Sequence, residues 1–347
     1  MSSTHRFASP LDRPGALIAA LPAVLGFVPE KSLVLVTIYH GAMGAVLRTD
    51  LDAAESMGEL ADLAVNAGAE EAVAVIVDAD GFSCRMCAED HRDLVADLAG
   101  ELDRRDIELL SALIVDNVAR SGRFHCADGC GLSGAVDDPS ASPIAAAAVL
   151  DGRRLYTRRA ELVAVICPLD PERAATLAAL LDRTCALDEA RPDQQARDDV
   201  EHALECAAQL GTGRELADDQ LARLALALTD VRVRDTLFAL AVGDNAGSAE
   251  SLWADLSRRL PEPWQVEPLV LLAFSAYARG DGPLAGIALD AALTCQPDHR
   301  MAGMLDRALR AGMRPEQIRE LARTGYRLAK QLGVRLPPRR AFGRRAG

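Results

Sequence analysis

Apolar runs rich in β-branched residues are confined to the first half of this chain. Three of them, at residues 32–40, 71–81 and 108–119, indicate strands, because each is short and bounded by turn residues. A Gly-containing turn after the first run lets residues 45–51 return as the second arm of a hairpin. From about Asp170 onward, every segment has apolar residues at helical spacing, with short Gly, Pro or Asp breaks. The sequence therefore predicts two parts of different architecture.

Amphipathic helices are predicted between the strands, at residues 52–68 and 88–106. This alternation predicts an α/β part with a mixed sheet, βαβ units and an N-terminal hairpin. The remainder is predicted to be all-α, with short-looped helices that pair antiparallel and stack as a solenoid. The predicted domains are an α/β domain at residues 1–168, a helical-repeat-like domain at residues 169–335 and an Arg-rich flexible tail at residues 336–347.

One helical segment has the spacing of a tetratricopeptide repeat. Six residues fall near the packing positions of that repeat, namely Leu272, Ala273, Gly280, Ala285, Ala292 and Pro297. Leu269 stands where a tryptophan is usual, and only one unit is recognisable. A tetratricopeptide-like pair and an ordinary helical hairpin are both compatible with this pattern.

The charge and the apolar runs exclude two classes of partner. The net charge is −13 and the pI is near 5.0, whereas duplex nucleic acid requires a basic surface. No run approaches the roughly 18 apolar residues that cross a bilayer. Eight cysteines are scattered over the chain and no signal peptide is recognisable, so we expect a cytoplasmic protein with reduced thiols.

Several segments together resemble one known family. These are "SPLDRPGALIAALPAVLGFVPEKSLVLVTI", "GRFHCADGCGLSGAVDDPSASPIAAAAVLDGRRLYTRRAEL", "VRDTLFALA" and "AYARGDGPLAGIALDAALTCQPDHRMAGMLDRALRAGMRPEQIRELA". The chain is similar over nearly its whole length to the actinobacterial family catalogued as domain of unknown function 4192. The resemblance implies a cytoplasmic protein with an α/β part and a helical part, and it supplies no catalytic residues. The family's loop often has two adjacent cysteines followed by proline, whereas Gly131 follows Cys130 here.

Acidic residues follow two of the predicted strands. Asp78 and Asp80 end one apolar run and Asp116 ends the next, which is the edge where α/β sheets bind ligands. The D-x-D-G run resembles the first motif of haloacid-dehalogenase phosphohydrolases, in which paired carboxylates and magnesium act on a phosphate ester. That chemistry requires a lysine, and neither Lys31 nor Lys330 is expected at this site. The alternative is a polar strand end that caps a turn.

Thiols and imidazoles form two short groups that suggest a zinc site. The candidate ligands are Cys84, Cys87, His91, His125, Cys126 and Cys130. A shared site requires both groups to lie at the same end of the sheet. The alternatives are reduced thiols without a metal, or a redox dithiol at Cys84 and Cys87, because a C-x-x-C motif at a helix start lowers the pKa of a thiol.

Four arginines around a tyrosine form a candidate anion-binding site, comprising Arg153, Arg154, Arg158 and Arg159. The alternative is that they pair with nearby surface carboxylates.

We interpret the chain as a non-enzymatic interaction or regulatory protein that binds a protein partner through its helical part and needs no cofactor. The alternative is a ligand-binding or metal-binding protein or an enzyme, with zinc at the cysteine loop or phosphate-ester chemistry at Asp78 and Asp80. The oligomeric state is open.

Overall fold

The computed structural model describes residues 13–52, 57–150, 154–185 and 192–340. The chain divides into two compact units, mainly between Leu162 and Val163. This division lies a few residues before the domain boundary predicted between residues 168 and 169. No helix within the described ranges is long and apolar enough to cross a membrane.

The first unit is built on a six-stranded mixed sheet. Its strands are β1 (Ser32–Tyr39), β2 (Ala42–Asp50), β3 (Glu71–Val77), β4 (Glu108–Val115), β5 (Arg123–Cys126) and β6 (Ser133–Ala135). They lie in the order β2-β1-β3-β4-β5-β6. The α-helices described in this part of the chain are α1 (Pro14–Leu25), α2 (Met57–Asn66), α3 (Arg85–Asp103), α4 (Pro143–Leu150) and α5 (Arg159–Val163), with a short 3-10 helix at Pro139–Ala141.

The strand directions confirm the predicted mixed sheet. β1 is antiparallel to both of its neighbours, β2 and β3, and β3 is parallel to β4. The pair β1–β2 is the predicted N-terminal hairpin, and β3-α3-β4 is a βαβ unit. Because β2 and β3 run in the same direction on either side of β1, α2 makes a second crossover that passes over β1.

Both faces of the central strands are buried, which explains their nearly continuous apolar sequences. Leu33 and Leu35 of β1 and Ile76 of β3 pack with α2 and α3 in one core. Because side chains alternate along a strand, their neighbours in sequence point to the opposite face. Those neighbours are also fully buried, as Val34 and Val75 show.

The sheet continues beyond the predicted strands. β5 pairs antiparallel with β4 and β6 pairs antiparallel with β5, so the cysteine-containing segment is the turn of a hairpin. β6 is only three residues long and all three are exposed. The sequence pattern does not reveal it, because Ser133, Gly134 and Ala135 have no alternation of apolar and polar residues.

The second unit is helical within the described ranges, as predicted. Its helices are α6 (Pro171–Cys185), α7 (Asp193–Gly211), α8 (Asp218–Leu228), α9 (Val231–Leu237), α10 (Ala246–Arg259), α11 (Val266–Arg279), α12 (Gly282–Cys295), α13 (Arg300–Arg310) and α14 (Pro315–Leu332), with a 3-10 helix at Phe238–Val242. Trp253 and Phe274 are among its fully buried side chains, and the rings of Phe274 and Phe238 meet at 4.7 Å between centroids.

The packing order of these helices differs from simple stacking of successive pairs. α11 and α12 form the predicted hairpin, but α10 also packs on α7, and α14 packs on α9, the 3-10 helix and α11. In a solenoid each repeat contacts only its neighbours. The helices therefore share a core, and a tetratricopeptide-like character of α11 and α12 stays a prediction.

The first residues of the segment predicted as a flexible tail are hydrogen-bonded to the helical unit. The Tyr326 hydroxyl donates to the carbonyl oxygen of Pro337 at 3.0 Å. The backbone N–H of Arg340 donates to the carbonyl of Val242 at 2.8 Å. Residues 341–347 of the predicted tail lie outside the described residues.

A glycine in α14 allows this helix to approach the core closely. A Cβ atom on Gly325 would lie 2.7 Å from the Thr236 carbonyl oxygen and 2.9 Å from the Ala239 Cβ. We expect Gly325→Ala to lower the free energy of unfolding by about 1–3 kcal/mol, the usual cost of overpacking a core. Chemical denaturation monitored by circular dichroism measures this.

Gly303 in α13 is the matched control for Gly325. A Cβ atom there would meet only the end of the Arg307 side chain, at 3.5 Å. We expect Gly303→Ala to raise the free energy of unfolding by up to about 1 kcal/mol, because alanine favours helix over glycine. Equal effects of the two substitutions would contradict the close packing of α14.

Candidate functional site

Asp78 is placed at the carboxyl end of the central strand β3. Its backbone N–H donates to the carbonyl of Val115 at 2.9 Å, which continues the pairing of β3 with β4 by one residue. The residue is only 6% exposed. A carboxylate this deeply buried requires charged or hydrogen-bonding partners.

Lys31 supplies one of these partners. Its Nζ lies 2.8 Å from Asp78 Oδ1 and 2.8 Å from Asp80 Oδ2. The expectation that no lysine belongs to this site was therefore wrong. Because β1 is antiparallel to β3, Ser32 pairs with Val77, and the residue before β1 meets the residue after β3. Sequence separation alone could not indicate this, since it depends on which strands are neighbours.

His91 and Gly81 complete the surroundings of the carboxylate. His91, on α3, places Nε2 3.2 Å from Asp78 Oδ2, and its Nδ1 is buried without a hydrogen-bond partner among the described residues. A Cβ atom on Gly81 would lie 2.1 Å from Asp78 Oδ2. Glycine is therefore required where the chain turns between β3 and α3, and the G of the D-x-D-G run has a steric role.

These contacts keep Asp78 ionised. Burial alone would raise the pKa of its carboxyl, but the hydrogen bond from Lys31, the backbone N–H of Gly81 and the positive charge of Lys31 hold the pKa below its ordinary value. The same hydrogen bonds to Asp78 and Asp80 raise the pKa of Lys31. The site therefore contains an ion pair between Lys31 and a buried carboxylate that is ionised at neutral pH.

Asp116, the third residue of the predicted acidic site, has a different role. Its Oδ1 accepts the backbone N–H groups of Asn117 at 2.5 Å and Arg123 at 2.7 Å. These bonds close the turn between β4 and β5, as the turn-capping alternative predicts. Two of the three predicted acidic residues, Asp78 and Asp80, therefore share a contact with Lys31. Asp116 instead stabilises the turn that follows β4.

Cys84 and Cys87 lie at the start of α3, directly after the Asp78 turn. Cys84 is the N-cap residue, and its Sγ accepts the backbone N–H of Cys87 at 3.5 Å. This N–H, the thiol of Cys87 and the N–H of Met86 lower the pKa of the Cys84 thiol. The hydrogen bond with Cys84, followed by burial and the negative charges of Cys84, Asp78 and Asp90, raises the pKa of Cys87. Both thiols are half-buried.

The predicted zinc ligands do not form one group among the described residues. A different group of possible metal ligands does lie together. It consists of Cys126, Asp128 and Cys130, whose ligand atoms are all within 4.8 Å of one another. Asp128 was not among the predicted ligands, although it stands between the two cysteines in sequence. The turn between β5 and β6 brings it back toward them.

His125 is held by backbone groups. Its Nδ1 lies 3.1 Å from the carbonyl of Cys126, and its Nε2 lies 3.2 Å from the carbonyl of Phe82. The rings of Phe82 and His125 are in contact, with 4.8 Å between centroids. This histidine therefore fastens the Asp78 turn to β5, a structural role that the ligand pattern did not indicate.

The described arginines of the predicted anion site are all exposed. Arg154 lies over the ring of Tyr156, with 6.0 Å from its guanidinium carbon to the ring centroid. Arg158 and Arg159 stand at the start of α5, which has only five residues. Arg153 lies outside the described residues. The anion-binding role of these arginines stays a prediction.

Comparison with known proteins identifies the family. The family model of the domain of unknown function DUF4192 matches residues 14–316. The chain belongs to the DUF4192 family. A search of curated proteins and a search of solved structures found no match. The family match covers both units, which confirms the resemblance inferred from the sequence.

The buried carboxylate should contribute strongly to stability. We expect Asp78→Ala to lower the free energy of unfolding by about 1–3 kcal/mol at neutral pH, because His91 and the Gly81 N–H lose their acceptor. Asp80→Ala is the matched control, since its exposed side chain also contacts Lys31. We expect it to change the stability by less than about 0.5 kcal/mol.

The pH dependence of the free energy of unfolding tests the same interaction. Because the pKa of Asp78 is lowered in the folded protein, its stabilising effect is present above the ordinary carboxyl pKa and is lost as the pH falls through the lowered pKa. Denaturation curves at several pH values should therefore show the wild type and Asp78→Ala converging in acid. A constant difference would contradict an ionised Asp78.

Proposed function

We propose that this protein carries out thiol–disulfide exchange through Cys84 and Cys87. The observation that carries the proposal is the Cys84 Sγ at the N-cap of α3, where it accepts the N–H of Cys87 and is followed one turn later by the second thiol. A C-x-x-C pair at a helix start beside a βαβ unit is typical of redox-active dithiols.

Cys84 is the residue suited to the initial attack. The thiolate is the reactive form of cysteine, and α3 is long enough, at 19 residues, to present unpaired N–H groups and a positive dipole at its start. The backbone and thiol hydrogen bonds from Cys87 stabilise negative charge on Cys84. Cys84 is half-buried, so part of the residue faces solvent.

Cys87 is suited to the resolving step. The hydrogen bond with Cys84 and burial, together with nearby negative charge from Asp78 and Asp90, raise the pKa of this thiol, whereas the pKa of Cys84 is lowered. The two cysteines therefore have unequal reactivity before any substrate binds. This asymmetry gives an order of attack, with Cys84 first and Cys87 second.

The surface around the dithiol is suited to a protein substrate. Met86, between the two cysteines, is 78% exposed, and its neighbour Arg85 is also exposed. A flexible apolar side chain at the rim of a site packs against varied partners. The proposed substrate class is an accessible disulfide on another protein or peptide.

The reaction balances in two steps. The Cys84 thiolate attacks one sulfur of the substrate disulfide, which forms a mixed disulfide and releases the other substrate sulfur as a thiolate that takes up a proton. Cys87 then loses its proton and attacks the Cys84 sulfur, which forms the Cys84–Cys87 disulfide and releases the second substrate thiol. The substrate gains two electrons and two protons, and a cellular dithiol reductant regenerates the protein.

The two other sequence hypotheses receive different support. Phosphate-ester chemistry at Asp78 has less support than exchange, because Lys31 and His91 already contact both carboxylate oxygens and the residue is buried. Binding of a protein partner by the helical unit stays a prediction. An open cavity of about 360 Å³, lined by residues of α6, α7 and α8, could accept such a partner. A cytoplasmic location is part of the proposal, since it keeps the dithiol reduced.

The reactivity of Cys84 is directly measurable. We expect alkylation of Cys84 by iodoacetamide in the full chain to follow a pH profile with a midpoint below the ~8.5 of an ordinary thiol. Peptide mapping by mass spectrometry separates the individual cysteines. Cys167 is the internal control, because it is an exposed thiol without a neighbouring cysteine at i+3. Equal midpoints at the two residues would contradict activation at the start of α3.

Single serine variants separate the two proposed roles. Incubated with a disulfide-containing peptide, Cys87→Ser should accumulate a mixed disulfide at Cys84, because the resolving thiol is missing. Cys84→Ser should form none at Cys87 on the same timescale, and the wild type should release both peptide thiols. Cys167→Ser is expected to behave as the wild type. A wild-type protein that never forms the Cys84–Cys87 disulfide would refute the proposal.

A further inference from the structure

A second thiol group lies outside the site described above, on the turn between β5 and β6. Cys126 ends β5 and is only 8% exposed, whereas Asp128 and Cys130 are exposed. Gly129 and Gly131 both have positive φ values, +74° and +87°, which favour glycine. These two glycines allow the chain to reverse within a few residues and return Asp128 and Cys130 toward Cys126.

The hydrogen bonds of this turn already orient the three side chains toward one another. The neighbouring thiol of Cys126, followed by the backbone N–H and thiol of Cys130, lowers the pKa of the Asp128 carboxyl. Its Oδ1 also accepts the backbone N–H of Cys130 at 2.8 Å. The carboxylate and the two thiols therefore face one another across the turn, which is where a cation bound to all three would lie.

We propose that Cys126, Asp128 and Cys130 bind one zinc ion. Their ligand atoms lie within 4.8 Å of one another, so a small closing movement of the side chains would bring all three to one ion. Two thiolates and one carboxylate suit zinc, whereas magnesium and calcium prefer oxygen ligands alone. Binding replaces the two thiol protons, so one Zn²⁺ ion enters and two protons leave.

The exposure of the ligands indicates what kind of zinc site this is. Three protein ligands leave the fourth position of a tetrahedron for water or for a ligand from outside. Asp128 and Cys130 face solvent, so this position is accessible. The zinc site therefore has an open coordination position, and Cys84, Cys87 and His91 are not among its ligands. It does not depend on the proposed thiol–disulfide exchange.

The test uses the reduced full chain after removal of metal, with Co²⁺ alone as the first probe and Zn²⁺ as the competitor. Thiolate ligation gives cobalt a near-ultraviolet charge-transfer absorption that neither water nor carboxylate ligands produce. We expect one equivalent of Co²⁺ to produce this absorption and one equivalent of Zn²⁺ to remove it. No thiolate absorption in the wild type would overturn the proposal.

Variants decide which residues bind the ion. We expect Cys130→Ser to weaken zinc binding by more than about 100-fold, because even loss of an outer-shell partner costs about 10–100-fold. Asp128→Asn should weaken binding while keeping the thiolate absorption. The Cys84→Ser, Cys87→Ser double variant is the matched control and should bind as the wild type. Binding that survives Cys130→Ser, or that is lost in the double variant, would overturn the ligand assignment, and circular dichroism checks that each variant is folded.

Discussion

The buried carboxylate of Asp78 joins three segments of the first unit that are distant in sequence. It contacts Lys31 before β1 and His91 on α3, and it ends the central strand β3. Burying this charge without partners would destabilise the fold. The segments that supply its hydrogen bonds and its counter-charge are therefore held in place around it. The turn at Gly81 follows from the same requirement, since a larger residue would occupy the space of the carboxylate.

This anchoring determines where the dithiol lies. The N–H of Cys84 donates to the carbonyl of Gly81 at 3.0 Å, so the start of α3 is fixed to the Asp78 turn. The N–H groups of Cys87 and Met86 then lower the pKa of Cys84, while the hydrogen bond with Cys84, burial and the negative charge of Asp78 raise the pKa of Cys87. The ion pair and the proposed redox pair are therefore parts of one arrangement at the end of β3, and the opposite pKa shifts of the two thiols follow from it.

In the helical unit, the partner of the buried carboxylates is an arginine. Arg279, at the end of α11, pairs with Glu250 of α10 at 2.7 Å and with Asp281 at 3.2 Å. Asp281 also caps α12 by accepting the N–H of Leu284. Because these groups are largely buried, removing one partner would leave an uncompensated charge in the core. The pairs therefore help to define how α10, α11 and α12 pack, beyond what apolar burial specifies.

Much of the architecture was predictable from the sequence, because it depends on local patterns. The buried runs of β1 and β3, the hairpin, the crossover through α3 and the series of C-terminal helices follow from periodicity and turn residues. The short strand β6 was not predictable, since three exposed small residues carry no pattern. The shared core of the helices was also missed, because helical periodicity shows which face is buried and not which helix covers it.

The candidate sites divide in the same way. The sequence by itself identified the chemistry-bearing residues Asp78, Asp80, Cys84 and Cys87, because they stand at the end of a strand and the start of a helix. Only the tertiary structure brought Lys31 to Asp78, since that contact depends on β1 pairing antiparallel with β3. Likewise, only the fold separated the two cysteine groups and added Asp128 to one of them. Residue types and their local spacing can be read directly from the sequence, whereas contacts across strands and turns depend on the order in which the strands pair.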